Sequence, residues 1–288
     1  MIYFLLMSII PAAGLTIYSS VQMTSSYTTD RLIQLGATAT QKTGNLETWF
    51  SERQGDAAFL ADLPTIEEST WVLTHDNYTS GNKTTAVAAA EQIMEYMIHF
   101  YGCYLEIFLV DTNGTVLAHA ETDASGFEPL YDTATEGYYS DELFVEKMDL
   151  TSGNWGDPEY SFLSDFHLGS HGEVVMLAGC PMRYEGVGGS IGTGMVILRI
   201  DLTTIDALMH NTLGLGTSGE TYLISEAGYW LTSSKFDYYT TETGEYSDIE
   251  DTLLTEKVTT AGIVACVAAE AQTESAANDD YRGIPVMG

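Results

Sequence analysis

Leu105 to His119 reads LEIFLVDTNGTVLAH. An apolar, β-rich run (Ile107, Phe108, Leu109, Val110) meets the turn Asp111-Thr112-Asn113-Gly114, and a second apolar run, Val116-Leu117-Ala118, follows. Asn-Gly between two such runs is a strong hairpin signal, because both residues tolerate positive φ. The pattern returns at Glu220 to Ser233, ETYLISEAGYWLTS. Phe108-Leu109-Val110 answers Tyr222-Leu223-Ile224, Gly114 answers Gly228, and Val116-Leu117 answers Trp230-Leu231, all at one offset. Self-similarity at a constant offset points to two copies of one structural unit. The chain therefore reads as two small α+β modules in tandem, each nucleated by this hairpin.

Composition narrows the partners. Forty-one acids face ten bases, a formal net charge of −31. Phosphate binding needs clustered Lys and Arg, so nucleic acid is excluded as a partner. The acidity reads as a solvated surface, suited to salt, where screening shortens self-repulsion. Cys103, Cys180 and Cys266 do not make a disulfide framework. A Cys103–Cys180 bridge is one reading; a pair of small buried hydrophobes is the preferred one. Of seven asparagines, Asn77, Asn82 and Asn113 stand in N-x-S/T sequons, acceptors only if the chain is exported.

Taken in order, Ile2 to Tyr18 is almost wholly apolar, and no charge precedes Asp30. The run is slightly short of the about 20 residues that span a bilayer. It reads as a transmembrane helix (residues 1–18) trimmed at its start; a signal peptide is the rival, without the usual basic n-region. From Ser19 to about Glu68, Leu32, Leu35, Leu46, Trp49, Phe50, Phe59, Leu60 and Leu63 recur close to helical spacing. Pro64 marks a boundary. Asp76 to Lys83 reads as a surface loop, and Ala86 to Phe100 as a second helix. Strands are expected over Ser161–His167, Glu173–Pro181 and Gly194–Leu202. A short helix is expected over Thr203–Asn211, a helix-like stretch near Asp251–Lys257, and strands over Ile263–Ala268 and Tyr281–Met287.

Five stretches carry a family resemblance: LETWFSERQGDAAFLADLP, IFLVDTNGTVLAH, TGMVILRIDLTTIDALM, GLGTSGETYLISEAGYWLTSS and DYRGIPVMG. In this order they resemble the extracellular double-Cache sensor domains of prokaryotic membrane receptors, that is, chemoreceptors and sensor histidine kinases. The resemblance implies an α+β fold: a long N-terminal stalk helix with two tandem PAS-like modules, each an antiparallel sheet flanked by helices. The expected domains are the membrane helix 1–18, the stalk and second helix 19–100, a membrane-distal module 101–213 with its exit helix, and a membrane-proximal module 214–288, truncated before a second membrane helix. It further implies residues from about 19 onward outside the cytoplasm, a homodimer in the full receptor, a small-molecule pocket in the distal module, and no enzyme activity in this part of the chain.

Other motifs compete with that reading. Gly188-Gly189-Ser190-Ile191-Gly192 matches GxSxG, and an exported serine hydrolase is the alternative. A nucleophile elbow needs a strand before it and a helix after it, whereas Met195–Ile200 after Ser190 reads as strand, so a Gly-rich turn is the preferred reading of the motif. A ligand-free structural spacer is a third reading. Asp111-x-Asn113-Gly114 lacks the Gly at position 6 and Glu at position 12 of a calcium loop. His75, His99, His119, His167, His171 and His210 are scattered, so no metal site is expected, and no phosphate-binding loop or other cofactor motif is present.

Within the aromatic, acidic stretch Glu121 to Asp165, the cluster Tyr138 to Tyr160 reads either as core covering the sheet or as a ligand lid, and Tyr138, Phe144, Trp155, Asp157 and Tyr160 are the candidate contacts. Amino-acid-binding members of the resembled family carry an Arg followed by a Trp-Tyr pair between the second helix and the strands. This sequence has no Arg between Arg53 and Arg183. In the last distal strand, Met195, Ile197, Arg199 and Asp201 alternate onto one face, and Val196, Leu198 and Ile200 onto the other. The all-apolar set should pack on the stalk and the mixed set should face the pocket. The family's amine binders typically place an Asp where Arg199 stands. A guanidinium there fits a small carboxylate or related anion, with Arg199 as clamp and Asp201 beside it. The competing assignment is a structural ion pair between Arg199 and Asp201 or a loop acid.

Overall fold

The computed structural model describes residues 2–122, 160–168, 174–186, 189–211, 215, 219–234, 238–239, 246–247, 253–269, 278–279 and 285–286. It opens with helix α1, Ile2–Ala61, 60 residues long. At 1.5 Å per residue this is a rod of about 90 Å. Thr24, Thr28, Thr38 and Thr40 donate to the carbonyl four residues back, at 2.9–3.0 Å, which satisfies hydroxyls on the helix surface. No helix among the described residues is long and apolar enough to cross a membrane. Two compact units divide the chain: residues 1–44 with 209–288, and residues 45–208.

In the second of these units, the one holding residues 45–208, α1 stops before Pro64, as the proline predicts. Leu63 is extended (φ −73°, ψ 125°) and Pro64 opens α2, Pro64–Thr74. Pro favours an extended predecessor and suits the first helical position. Helix α3 spans Ser80–Tyr101, six residues earlier than the sequence pattern alone marks. The early start has a local cause: Thr79 and Asn82 form a reciprocal capping box, with Asn82 N donating to Thr79 Oγ1 at 3.2 Å and Thr79 N to Asn82 Oδ1 at 3.3 Å.

After Gly102 the chain turns into β1 (Tyr104–Val110) and β2 (Val116–Glu121). They join β3 (Phe162–Leu163), β4 (His167–Leu168), β5 (Val174–Gly186) and β6 (Gly189–Asp201) in one antiparallel sheet of order β2-β1-β6-β5-β3, with β4 also on β5. Direct pairs set the faces: Phe108 with Ile197, Val110 with Met195, Leu177 with Arg199. One face buries Phe108, Val110, Leu177, Met195 and Ile197, flanked by Val116 and Phe162. The other carries Ile107, Leu109, Val196, Leu198 and Ile200, all fully buried. Here α2 lies over β5 and β6, and α3 over β1 and β2, so the apolar set anticipated for the stalk is covered largely by these two helices. The stalk reaches the sheet through the start of β1. A bulge at Leu105 turns Tyr104 to the helix face, opposite Ile200. There Tyr104 donates to Asp56, Arg53 pairs with Asp56 at 3.0 Å, and Arg53 Nη1 donates to Cys103 Sγ at 3.0 Å. Trp49, Tyr101 and Tyr104 surround the guanidinium at 5.3–5.5 Å. Cys103 and Cys180 are both free and buried, as the preferred reading has it: Cys180 pairs with Val196 mid-sheet, whereas Cys103 sits at the strand end, its carbonyl accepting from Asp201 N.

Ser190 lies inside β6, opposite Glu185 on β5, and the chain runs on as strand. A nucleophile elbow requires a turn into a helix at that point, so residues 189–192 are strand here, neither an elbow nor the expected turn. Helix α4 spans Thr203–His210, as the sequence pattern anticipates.

In the unit that includes residues 209–288, the second hairpin repeats the first in hydrogen-bond detail. Asp111 N donates to Thr115 O at 2.9 Å, and Ser225 N to Tyr229 O at 2.8 Å. Gly114 N donates to Asp111 O, and Gly228 N to Ser225 O. Thr115 N donates to Asp111 Oδ1, and Tyr229 N to Ser225 Oγ. Gly114 and Gly228 both have left-handed φ, 84° and 88°, which a side chain would strain. Trp230 is buried against Val258, Tyr222, Ile224, Leu253 and Ile263.

Two expectations fail in this unit. Ile263–Ala268 is not a strand but the middle of helix α5, Ala261–Ala269. A short apolar run has no diagnostic periodicity, and its Ala content favours the helix. Residues 253–257 form turns and a bridge from Lys257 to Tyr229 instead of a helix. Short strands β7 (Tyr238–Tyr239) and β8 (Tyr246–Ser247) pair, as do β9 (Asn278–Asp279) and β10 (Pro285–Val286). Of the expected strand Tyr281–Met287, the described part is β10.

Lys42 of α1 closes over the last turn of α4. Its Nζ donates to Met209 O at 2.8 Å and to Thr221 Oγ1 at 2.5 Å, and Thr221 Oγ1 donates to the same carbonyl at 2.6 Å. An ammonium at a helix C-terminus satisfies an orphan carbonyl and opposes the helix dipole. Burial pushes the Lys42 amine below its ordinary range. Lys42→Met keeps the stem and removes the ammonium, and should cost about 1.5–3 kcal/mol, the range for hydrogen bonds to a charged group. Urea unfolding of the two proteins checks it; an unchanged midpoint would show the contact to be idle.

Candidate functional site

The described part of the candidate site is the sheet face shared by β1, β2, β5 and β6. Strand alternation builds it. Glu106 is paired with Arg199 on one side and Glu121 on the other, and Phe108 with His119. Arg199 Nη1 donates to Glu106 Oε2 at 2.7 Å, and both side chains are fully buried. Leu177 flanks the guanidinium from β5. His119 Nε2 lies 3.5 Å from Glu121, and its ring stacks on Phe108 at 5.8 Å. The result is a charged row, Arg199–Glu106–Glu121 with His119, set at one end of an otherwise apolar face.

Taking two charges out of water costs several kcal/mol per ion, and the short hydrogen bond between them offsets that cost. The pair is therefore poor value as pure stabilisation, because apolar residues would fill the space as well.

Each residue anticipated from the sequence has a definite standing. Arg199 lies on the anticipated face, with Glu106 as its ion-pair partner. Asp201 caps α4: its Oδ1 accepts from Thr203 N at 2.9 Å and its Oδ2 from the Thr203 hydroxyl at 2.8 Å. Tyr160 precedes β3 and is 42% exposed. Tyr138, Phe144, Trp155 and Asp157 lie outside the described residues. Sequence reading passed over Glu106, His119 and Glu121. The available signal was Glu106 itself, an acid inside LEIFLV, since an unpaired acid is almost never fully buried.

A groove of about 510 Å³ opens between α3 and the edge strand β2, lined by Glu91, Glu95, His119 and Glu121 among others. A smaller cavity of about 430 Å³ continues it past Glu95, His99 and Glu121. Burial pushes the Glu91 carboxyl up; neighbouring His119 opposes that and Glu95 adds to it. Ligand atoms of Glu106, His119 and Glu121 lie within 4.8 Å of one another. The set suits a divalent cation in its donor types, but the Arg199 guanidinium already holds Glu106 at 2.7 Å and would repel one.

No family model matches the sequence, and no curated protein matches it. Solved structures do. The extracellular domain of vpHK1S-Z8, described as a histidine kinase, aligns with a TM-score of 0.51 at 12% identity, over 86% of this chain and 81% of that one. The sensory domain of the Campylobacter jejuni chemoreceptor Tlp3 aligns at 0.46 and 16% identity, over 72% of each chain. The sensor domain of the Vibrio cholerae histidine kinase DctB aligns at 0.47 and 12% identity, over 71% and 67%. With its long N-terminal helix, antiparallel sheet and flanking helices, the chain has the fold of a Cache-type extracellular sensor domain.

Proposed function

We propose that this chain is the extracytoplasmic sensing part of a membrane signalling receptor, and that its ligand, a small carboxylate or related anion, binds in the distal module against the Arg199 face of the sheet. The observation that carries the reading is the fully buried Arg199–Glu106 pair at the end of an apolar sheet face. A guanidinium presents five N–H donors in a planar fork. Glu106 accepts from Nη1, and an anion on the same face would share the cation with it. The membrane anchor rests on sequence: no charge precedes Asp30 in a run that is apolar through Tyr18. The two repeated hairpins support two modules, 101–213 and 214–288, beside the stalk, and a homodimer in the full receptor is part of the same reading.

The acids on this face favour a second ligand class. Glu106 and Glu121 outnumber Arg199, and Glu91 and Glu95 line the adjoining groove. An amine or other cation would match that surplus.

Thermal-shift screening of the purified chain separates the cases. A ligand at 100 times its Kd stabilises by about 2.7 kcal/mol. Small carboxylates are expected to raise Tm and amines to leave it unchanged. The reverse result would replace the anion reading by the cation one. No shift from either class would leave a spacer module without a pocket of this kind. Hydrolysis of ester substrates that Ser190→Ala abolishes would overturn the sensor reading altogether.

A further inference from the structure

Asn77-Tyr-Thr79, Asn82-Lys-Thr84 and Asn113-Gly-Thr115 are N-x-T sequons, and the fold gives them a shared feature that the sequence does not show. All three asparagines are exposed. Asn77 is in the α2–α3 loop, Asn82 is in the first turn of α3, and Asn113 is at the tip of the β1–β2 hairpin. Helix α3 packs on β1 and β2, and the chain reverses at Gly102, so β1 runs back alongside it. Seven strand residues climb about 23 Å, against about 33 Å for the 22 residues of α3. The hairpin tip therefore returns toward the level of the α3 start. The three sequons thus lie toward the same end of this unit, away from the end where Tyr104, Cys103 and Asp201 meet.

Local bonding leaves each amide nitrogen available. The Asp111–Thr115 turn is held by Asp111 Oδ1, which accepts from Asn113 N and Thr115 N at 2.8 Å each, and by main-chain bonds. The Asn113 side chain is not among these supports. At the α3 cap, Asn82 acts through Oδ1, an acceptor. An N-linked sugar on Nδ2 keeps that carbonyl, so the capping box and a glycan are compatible.

We propose that Asn77, Asn82 and Asn113 carry N-linked glycans, making this end of the unit a sugar-covered pole. In each transfer the asparagine Nδ2 attacks the anomeric carbon of a polyprenyl-phosphate-linked oligosaccharide. The N–C bond forms, the C–O bond to phosphate breaks, the lipid phosphate leaves with the electron pair, and the proton lost from the amide nitrogen passes to that phosphate. Glycans are bulky and solubilising, so protein partners must approach the unit elsewhere. The inference rests on the export proposed above, because the donor is used outside the cytoplasm.

The test takes the full chain from the membrane fraction of its own host. Mass spectrometry of proteolytic peptides is expected to show one common glycan mass on the peptides containing Asn77, Asn82 and Asn113. Asn77→Gln, Asn113→Gln and Thr84→Ala should each remove one glycan; Thr84→Ala leaves the Thr79–Asn82 cap in place. Protease shaving of intact cells reports export independently. Bare asparagine peptides from a chain that shaving cuts overturn the glycan proposal and leave the sensor reading standing. Bare peptides from a chain that shaving spares overturn both.

Discussion

Arg199→Met is expected to lower the unfolding free energy by about 3–5 kcal/mol, the cost of leaving one member of a buried ion pair alone. The reason is the position of Glu106. Its carboxylate has no exposed surface, and Arg199 Nη1 holds it at 2.7 Å. Methionine fills the aliphatic part of the space but cannot donate, so the carboxylate must either stay charged in an apolar face or take up a proton. Glu106→Gln removes the carboxylate that Arg199 Nη1 holds at 2.7 Å and should be costly for the same reason. The double variant Arg199→Met with Glu106→Leu removes both charges and should recover most of the loss, because apolar replacement of a whole buried pair is often neutral or better. A double-mutant cycle from urea midpoints measures this directly. Raising the salt to 1 M should change the cycle little, since buried pairs are weakly screened. A single-variant loss below about 1 kcal/mol would show that water reaches the pair, the value for an exposed bridge. The double variant also separates stability from sensing: it should be folded yet give no carboxylate-induced thermal shift.

How far the sequence reaches is clearest at the two hairpins. Asn-Gly at 113–114 and Ala-Gly at 227–228 are local devices, so their turn geometry follows from neighbouring residues, and the hydrogen bonds of one turn recur in the other. Pro64 is likewise local and ends α1 where it must. The alternation in β6 puts Arg199 on one face with Met195 and Ile197, because a strand's period of two depends on nothing else. What escaped was long-range. Glu106 and Arg199 stand 93 positions apart and meet only through the β1–β6 register. The start of α3 depended on a reciprocal side-chain cap that is easily taken for a polar loop. Residues 263–268 failed for lack of a period: six apolar residues fit a strand or a helix, and their surroundings decide between the two. Tyr138, Phe144, Trp155 and Asp157, expected from the sequence as ligand contacts, lie outside the described residues, so only the sheet face of the candidate site is described.

Gly194→Ala should destabilise the sheet by about 2–6 kcal/mol, combining backbone strain of about 1–3 with overpacking of about 1–3. Thr193 is an extra residue in β6: Gly194 pairs with Met182, and Gly192 with Arg183. This bulge swings the β6 backbone against the end of β1. A Cβ at Gly194 would sit 1.9 Å from Val110 O and 3.1 Å from Asp111 Cα, and φ there is 153°. The obstructing atoms are backbone, so no side-chain rotation relieves the clash. Either β1 and β6 separate, or the hairpin turn at Asp111 is displaced. Separation would also disturb the Glu106–Arg199 pair further along the same two strands. Gly44→Ala supplies the contrast. Gly44 lies inside α1, and nothing stands within 4 Å of the place its Cβ would take. Alanine there should stabilise by about 0.5–1 kcal/mol through helix propensity and the unfolded chain. One added methyl group is thus expected to move urea midpoints in opposite directions at the two glycines. A Gly194→Ala midpoint equal to that of the parent would mean that the close approach of β6 to Val110 is not required for the fold.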